Sequence, residues 1–152
     1  MTQISLKYDD SGAQRLLSML KKKGGDLSPV TSAISLLMHK DVIQRFVDEA
    51  DHEGKPWPDL SPVTIARRKN KDKGTIKKLR DKGRLWGSIK SNKARSFGDN
   101  WAAVSTDIEY AAVHNFGYPK RNIKQRAFMT GISNSAHKKV FTLITKYLME
   151  GI

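Results

Sequence analysis

The sequence predicts an α+β domain: a small antiparallel sheet, several helices packed on it, and one long basic loop. Three observations carry that reading. Period-two apolar alternation near the start, and two strand-like runs separated by Gly98-Asp99-Asn100, point to strands. Apolar residues at helical spacing after Ser28 and again after Asn134 point to helices. Between these blocks, residues 67–84 carry basic side chains and almost nothing apolar. The 152 residues suit a single domain spanning 1–152, large enough to enclose a core.

The elements follow in order. Residues 2–8 place Ile4, Leu6 and Tyr8 on one side of a half-buried strand, ended by Asp9, Asp10 and Gly12. Leu16, Leu17 and Leu20 mark a short helix closed by Gly24-Gly25. The next helix is expected to be capped by Ser28, with Pro29 at its first position, and to run to about Asp51. Its stripe is Ile34, Leu37, Met38, Val42, Phe46 and Ala50, widened by Ile43 and Val47. Leu-Ser-Pro-Val-Thr occurs at 27–31 and again at 60–64, which reads as one capping device used twice. A third helix therefore starts near Pro62 and fades near Asn70.

Residues 71–82 read as a mobile loop, with Gly74 and Gly83 as breakers. Strand-like runs follow at 89–97 and 101–106, joined as a hairpin by Gly98-Asp99-Asn100. A short helix over 109–116 stops at Gly117. Ala127-Phe128-Met129 reads as a short strand, and a helix over about 134–149 closes the domain on Val140, Phe141, Ile144, Tyr147 and Leu148.

Charge is the most informative bulk property. Lys and Arg total 28 against 15 acids, a net charge of +13, which points to a polyanionic partner. Ten of these bases lie within 67–84: Arg67, Arg68, Lys69, Lys71, Lys73, Lys77, Lys78, Arg80, Lys82 and Arg84. Only Asp72 and Asp81 oppose them. These cations are the candidate contact residues. They can neutralise phosphates in a salt-sensitive, sequence-independent way, order against an acidic protein neighbour, or simply be solvated. Charge does not separate the three. The loop lacks interleaved aromatics, which argues against a stacking platform for single strands.

Other chemistry is excluded or unsupported. With no cysteine, thiolate metal sites, disulfides and cysteine nucleophiles are out. His39, His52, His114 and His137 show no zinc-helix spacing, so neither metal nor cofactor is expected. Asp48, Glu49, Asp51 and Glu53 cluster at a helix end, where solvation explains them. Gly83 to Ser88 lacks the pattern of a nucleophile elbow, and no Gly-rich phosphate loop occurs. The longest apolar runs are four residues, far short of the roughly 20 that span a bilayer. No basic patch with an apolar core marks a secretory signal, so a cytoplasm and no membrane are expected.

Four motifs in succession carry a resemblance. They are Trp57-Pro58-x-Leu60-Ser61-Pro62-x-Thr64; Gly83-Arg84-Leu85-x-x-Ser88-Ile89; Tyr110-Ala111-Ala112-x-His114-x-Phe116-Gly117; and Arg126-x-Phe128. Over about two-thirds of the chain, from Phe46 to the last helix, this resembles the phage virion morphogenesis family, the tail-completion proteins of Mu-like and related tailed phages. The chain departs from the family pattern at Lys82, where Thr is usual, and at Asn115, where Gln is commoner. It also has Lys124 and Ala127 in place of prolines.

The resemblance implies a structural, non-catalytic protein that completes the tail or joins it to the head at the neck. Its copies would form a hexamer or a multiple of one, beside other neck or tail proteins and within reach of DNA. It implies assembly in the host cytoplasm, then residence in the virion at the head–tail junction or tail end. Trp57, Leu60, Leu85, Tyr110, Phe116 and Phe128 then read as core anchors, Gly83 and Gly117 as turn or cap positions, and Ser61 and Ser88 as local hydrogen-bonders. Thr64 and Arg126 complete the motif set, and His114 reads as a hydrogen-bonder and not a base. Two other classes share the size and charge: a small basic nucleic-acid-binding protein and a toxin-like ribonuclease.

Overall fold

The computed structural model describes residues 3–7, 10–22, 25–70 and 76–150. Within them, strand β1 (Ile4–Lys7) is followed by helices α1 (Ser11–Lys22), α2 (Ser28–Asp48), α3 (Pro62–Lys69) and α4 (Arg84–Lys90). Then come β2 (Arg95–Phe97), β3 (Ala102–Thr106), α5 (Ala111–Phe116) and α6 (Asn134–Glu150). The fold is α+β, with a three-stranded antiparallel sheet ordered β1-β3-β2. Ile4 and Leu6 face the core from β1, pairing with Thr106 and Val104. Tyr8, the third residue expected on that face, lies outside the described residues. β2 and β3 form the expected hairpin, with Arg95 opposite Val104, Phe97 opposite Ala102, and the Gly98 N–H donating to Trp101 O at 2.9 Å.

α2 is the spine of the molecule: it packs on β2 and β3, on α6 and on α4. Ile34, Met38, Val42 and Phe46, each four residues apart, are essentially fully buried, which is the stripe the sequence indicated. Val47 does not widen it; that side chain is exposed. At the end of α2, Phe46 forms an aromatic cluster with Trp57, Trp86 and Phe128, ring centroids 5.3–5.4 Å apart. This cluster ties the 49–57 turn, α4 and the 126–129 segment to one point of the core.

The repeated pentapeptide behaves differently at its two sites. Ser61 caps α3, its Oγ accepting the Thr64 N–H at 3.2 Å. Ser28 is already helical and caps nothing; instead the Asp26 carboxylate accepts the Ser28 N–H at 2.9 Å. Helix α2 also stops earlier than expected, at Asp48, because Glu49 turns left-handed with φ 53°.

Two strand expectations fail. Ile89 and Lys90 finish α4, because Leu85 and Ile89, four apart, are buried together as a helical pair. Residues 92–94 form a single 3-10 turn started by the Ser91 hydroxyl, leaving only Arg95–Phe97 as strand. Residues 127–129 pair with no strand, since side chains take the place of a ladder. Asn115 Oδ1 accepts the N–H groups of Phe128 and Met129 at 3.0 and 2.8 Å. The Arg45 guanidinium donates to the carbonyls of Phe128, Thr130 and Gly131, and Asp41 holds it at 2.6 Å.

Candidate functional site

The basic stretch is not one continuous loop. Arg67, Arg68 and Lys69 form the last turn of α3, and Arg84 opens α4 after Gly83, whose φ of 75° suits glycine. Lys71 and Lys73 lie outside the described residues. Of the remainder, several cations are consumed internally. Lys78 Nζ contacts Asp59 at 2.9 Å and Glu49 at 4.0 Å and donates to Trp57 O at 2.8 Å. Arg80 donates to Phe46 O at 2.6 Å and stacks its guanidinium 4.0 Å from the Trp86 ring centre. Arg68 is buried, donating to Lys77 O at 2.8 Å and lying 3.5 Å from Asp81. Lys69, Lys77 and Lys82 are exposed.

Part of the basic stretch borders a groove of about 720 Å³. It is lined by the start of α3, by the segment leading into α4, by Tyr110 and His114, and by residues 122–126. From the basic stretch it takes Arg67, Arg68, Lys82 and Arg84. All four motifs reach it: Leu60, Ser61 and Thr64 from the first, Gly83 and Leu85 from the second, Tyr110 and His114 from the third, and Arg126 from the fourth.

Arg126 holds these segments together. Its Nε and Nη2 donate to the carbonyls of Pro58 and Asp59 at 3.0 and 2.9 Å, and its backbone N–H donates to His114 O at 2.8 Å. Burial, and then Arg68, lower the Arg126 pKa. Burial also lowers the His114 pKa, with Arg126 and then Arg68 adding to the effect, so the imidazole is neutral at pH 7. Its Nδ1 is buried without a hydrogen-bond partner among the described residues, and its ring stands edge-on to Tyr110 at 5.9 Å. Among the described residues the groove has two carboxylates: Lys78 holds Asp59, and Asp81 lies between Arg67 at 3.9 Å and Arg68.

The other motif residues sit beneath or beside the groove. Trp57 and Phe128 are core anchors, and Trp57 Nε1 donates to Ala127 O at 3.1 Å. Tyr110 and Phe116 are not, being 37% and 60% exposed. Gly117, φ 79°, ends α5 where a Cβ would come within 3.0 Å of Gln125 N. Ser88 reaches across to β3, its Oγ 2.7 Å from Thr106 Oγ1.

Sequence reasoning gave no role to Asn115, Arg45 and Asp41, and left Lys124 outside the candidate contacts. A signal existed for Arg45 and Asp41, since an Asp–Arg pair four apart interrupts the apolar stripe between Met38 and Phe46. Among the described residues no group of three or more His, Asp or Glu side chains is placed to hold a metal, and no helix is long and apolar enough to cross a membrane.

Four motifs distant in sequence thus line one cationic groove of an α+β domain. The chain belongs to the phage virion morphogenesis family, whose model matches residues 8–149. Membership gives it a structural or assembly role in a phage virion. Searches of curated proteins and of solved structures found no match.

Proposed function

We propose that the protein is a non-catalytic component of the phage neck, acting in tail completion or head–tail joining as a ring of copies. The convergence of four motifs on one cationic groove, in a chain of this family, carries the proposal. Residues that only maintain a core do not need to meet at a surface. In a ring, each copy presents the same surface to its neighbour or to the adjoining layer, so one groove becomes a repeated docking point. DNA passing through such a ring is a secondary contact, because Lys78 and Arg80 are engaged within the fold.

Immunogold electron microscopy of an induced lysate tests this. Label at the head–tail junction, or at one end of headless tails, is the expected result. Unlabelled intact particles beside abundant free protein would overturn it.

One observation favours a ribonuclease: His114 shares the groove with Arg68 and Arg126. Neither Asp59 nor Asp81 is hydrogen-bonded to the imidazole, however, and cations hold both. RNA cleaved by the purified chain, and left intact by its His114→Ala variant, would replace the structural reading.

A further inference from the structure

We infer that the groove is a docking site for an acidic peptide segment of a neighbouring protein, whose carboxylates meet the arginines while an apolar side chain fills the space between them. That this neighbour is a virion protein rests on the assembly reading above; the chemistry of the groove does not.

Charge comes first. Among the described residues, the cations lining the groove are Arg67, Arg68, Lys82, Arg84, Lys124 and Arg126. The carboxylates among them are Asp59, already held by Lys78, and Asp81, already shared by Arg67 and Arg68. Arg84 and Lys124 have no ion-pair partner within 4.0 Å among the described residues. Arg126 spends Nε and Nη2 on backbone carbonyls, while its Nη1 has no hydrogen-bond partner among the described residues. An unspent guanidinium edge suits a carboxylate, which it meets by charge-assisted hydrogen bonds.

Shape and lining select peptide over nucleic acid. Arg68 and Arg126 are only 7% and 8% exposed, so an anion reaches them only by entering the groove. A flexible Asp or Glu side chain can enter; a phosphate on a stiff duplex stays at the rim. Leu60, Leu79, Leu85 and Ile123 share the lining with the Tyr110 ring. That mixture suits side chains of a peptide better than a phosphodiester backbone. The volume lies within the roughly 300–1,000 Å³ of specific ligand pockets. Burial first, and neighbouring arginines second, depress the His114 and Arg126 pKa values; a bound carboxylate would relieve the second cause.

The test titrates the full ¹⁵N-labelled chain with a blocked peptide, Glu-Asp-Leu-Glu-Asp-Phe, followed by NMR and calorimetry. Saturable binding is expected, with shifted amides confined to 59–68, 79–85, 110–114 and 122–126. The double variant Arg67→Gln/Arg84→Gln should weaken binding about tenfold or more. Lys138→Gln/Lys139→Gln, which removes equal charge from α6, should change it by less than about twofold. The peptide with Gln and Asn in place of its acids should not bind.

Equal loss in both variants, or shifts spread over the whole surface, would overturn the proposal. So would a short DNA duplex that displaces the peptide at lower concentration with the same shifts, since the groove would then be a nucleic-acid site. Absence of peptide binding refutes the groove while leaving particle labelling intact; absence of label refutes the virion neighbour while leaving peptide binding intact.

Discussion

Asn115 shows how much one side chain can carry. Fully buried, it accepts the N–H groups of Phe128 and Met129 through a single oxygen, in a segment without strand pairing. Asn115→Ala leaves both donors in the core without partners, at about 1–3 kcal/mol for each. A urea titration should show a loss in that range or above; a loss under about 1 kcal/mol would mean that the segment is held some other way. His114 makes a different prediction, in pH. Its folded pKa lies below the ordinary 6.5, so as pH falls through 6.5 the unfolded chain takes up a proton that the folded one refuses. Stability therefore declines on the acid side of 6.5, down to the folded pKa. Below that both states are protonated and the decline ends. Asp26 and Asp59, lowered from 3.8, act only at still lower pH. His114→Gln should flatten the stability profile on the acid side of pH 6.5, and an unchanged slope there would contradict the assignment.

At the scale of elements, two identical pentapeptides make a controlled comparison. Ser61→Ala removes the hydroxyl that accepts the Thr64 N–H and should cost about 1 kcal/mol, with faster amide exchange in the first turn of α3. Ser28→Ala removes no cap and should stay within about 0.5 kcal/mol of wild type. Equal effects would show that local sequence, and not its setting, decides the cap. The same contrast explains what could be read beforehand. The stripe of α2, the hairpin about Gly98 and the last helix were legible because their periodicity is local and uninterrupted. The 127–129 segment was not: three apolar residues suggest a strand, while the groups that satisfy it, Asn115 and Arg45, lie 13 and 83 residues from Phe128. The cap at Ser28 failed because the helix starts one residue earlier: Leu27 is the cap position, and its carbonyl accepts the Thr31 N–H that the Ser28 hydroxyl would have taken.

For the whole molecule, the net charge of +13 is divided between cations that build the fold and cations that face outward. The sequence located the charge but not the division, since every Lys between 67 and 84 looks alike without the carbonyls and carboxylates that fold against it. Lys78 belongs to the first group: its side chain is 14% exposed and bridges Asp59, Glu49 and Trp57 O. Arg67, Arg84 and Lys124 belong to the second, exposed at the groove. Neutralising the two groups should give opposite phenotypes. Lys78→Gln weakens the joint between the 49–59 turn and the segment leading to α4, and should lower the melting temperature by several degrees. The triple variant Arg67→Gln/Arg84→Gln/Lys124→Gln loses only exposed charge and should melt within about 2 °C of wild type. In a complementation assay that triple variant should accumulate folded protein while infectious particles fall by about tenfold or more, with heads and tails present but unjoined. Normal particle yield from a stable triple variant would mean that neck assembly does not use the groove. Failure of the Lys78 variant alone would reduce the charged stretch to a structural device.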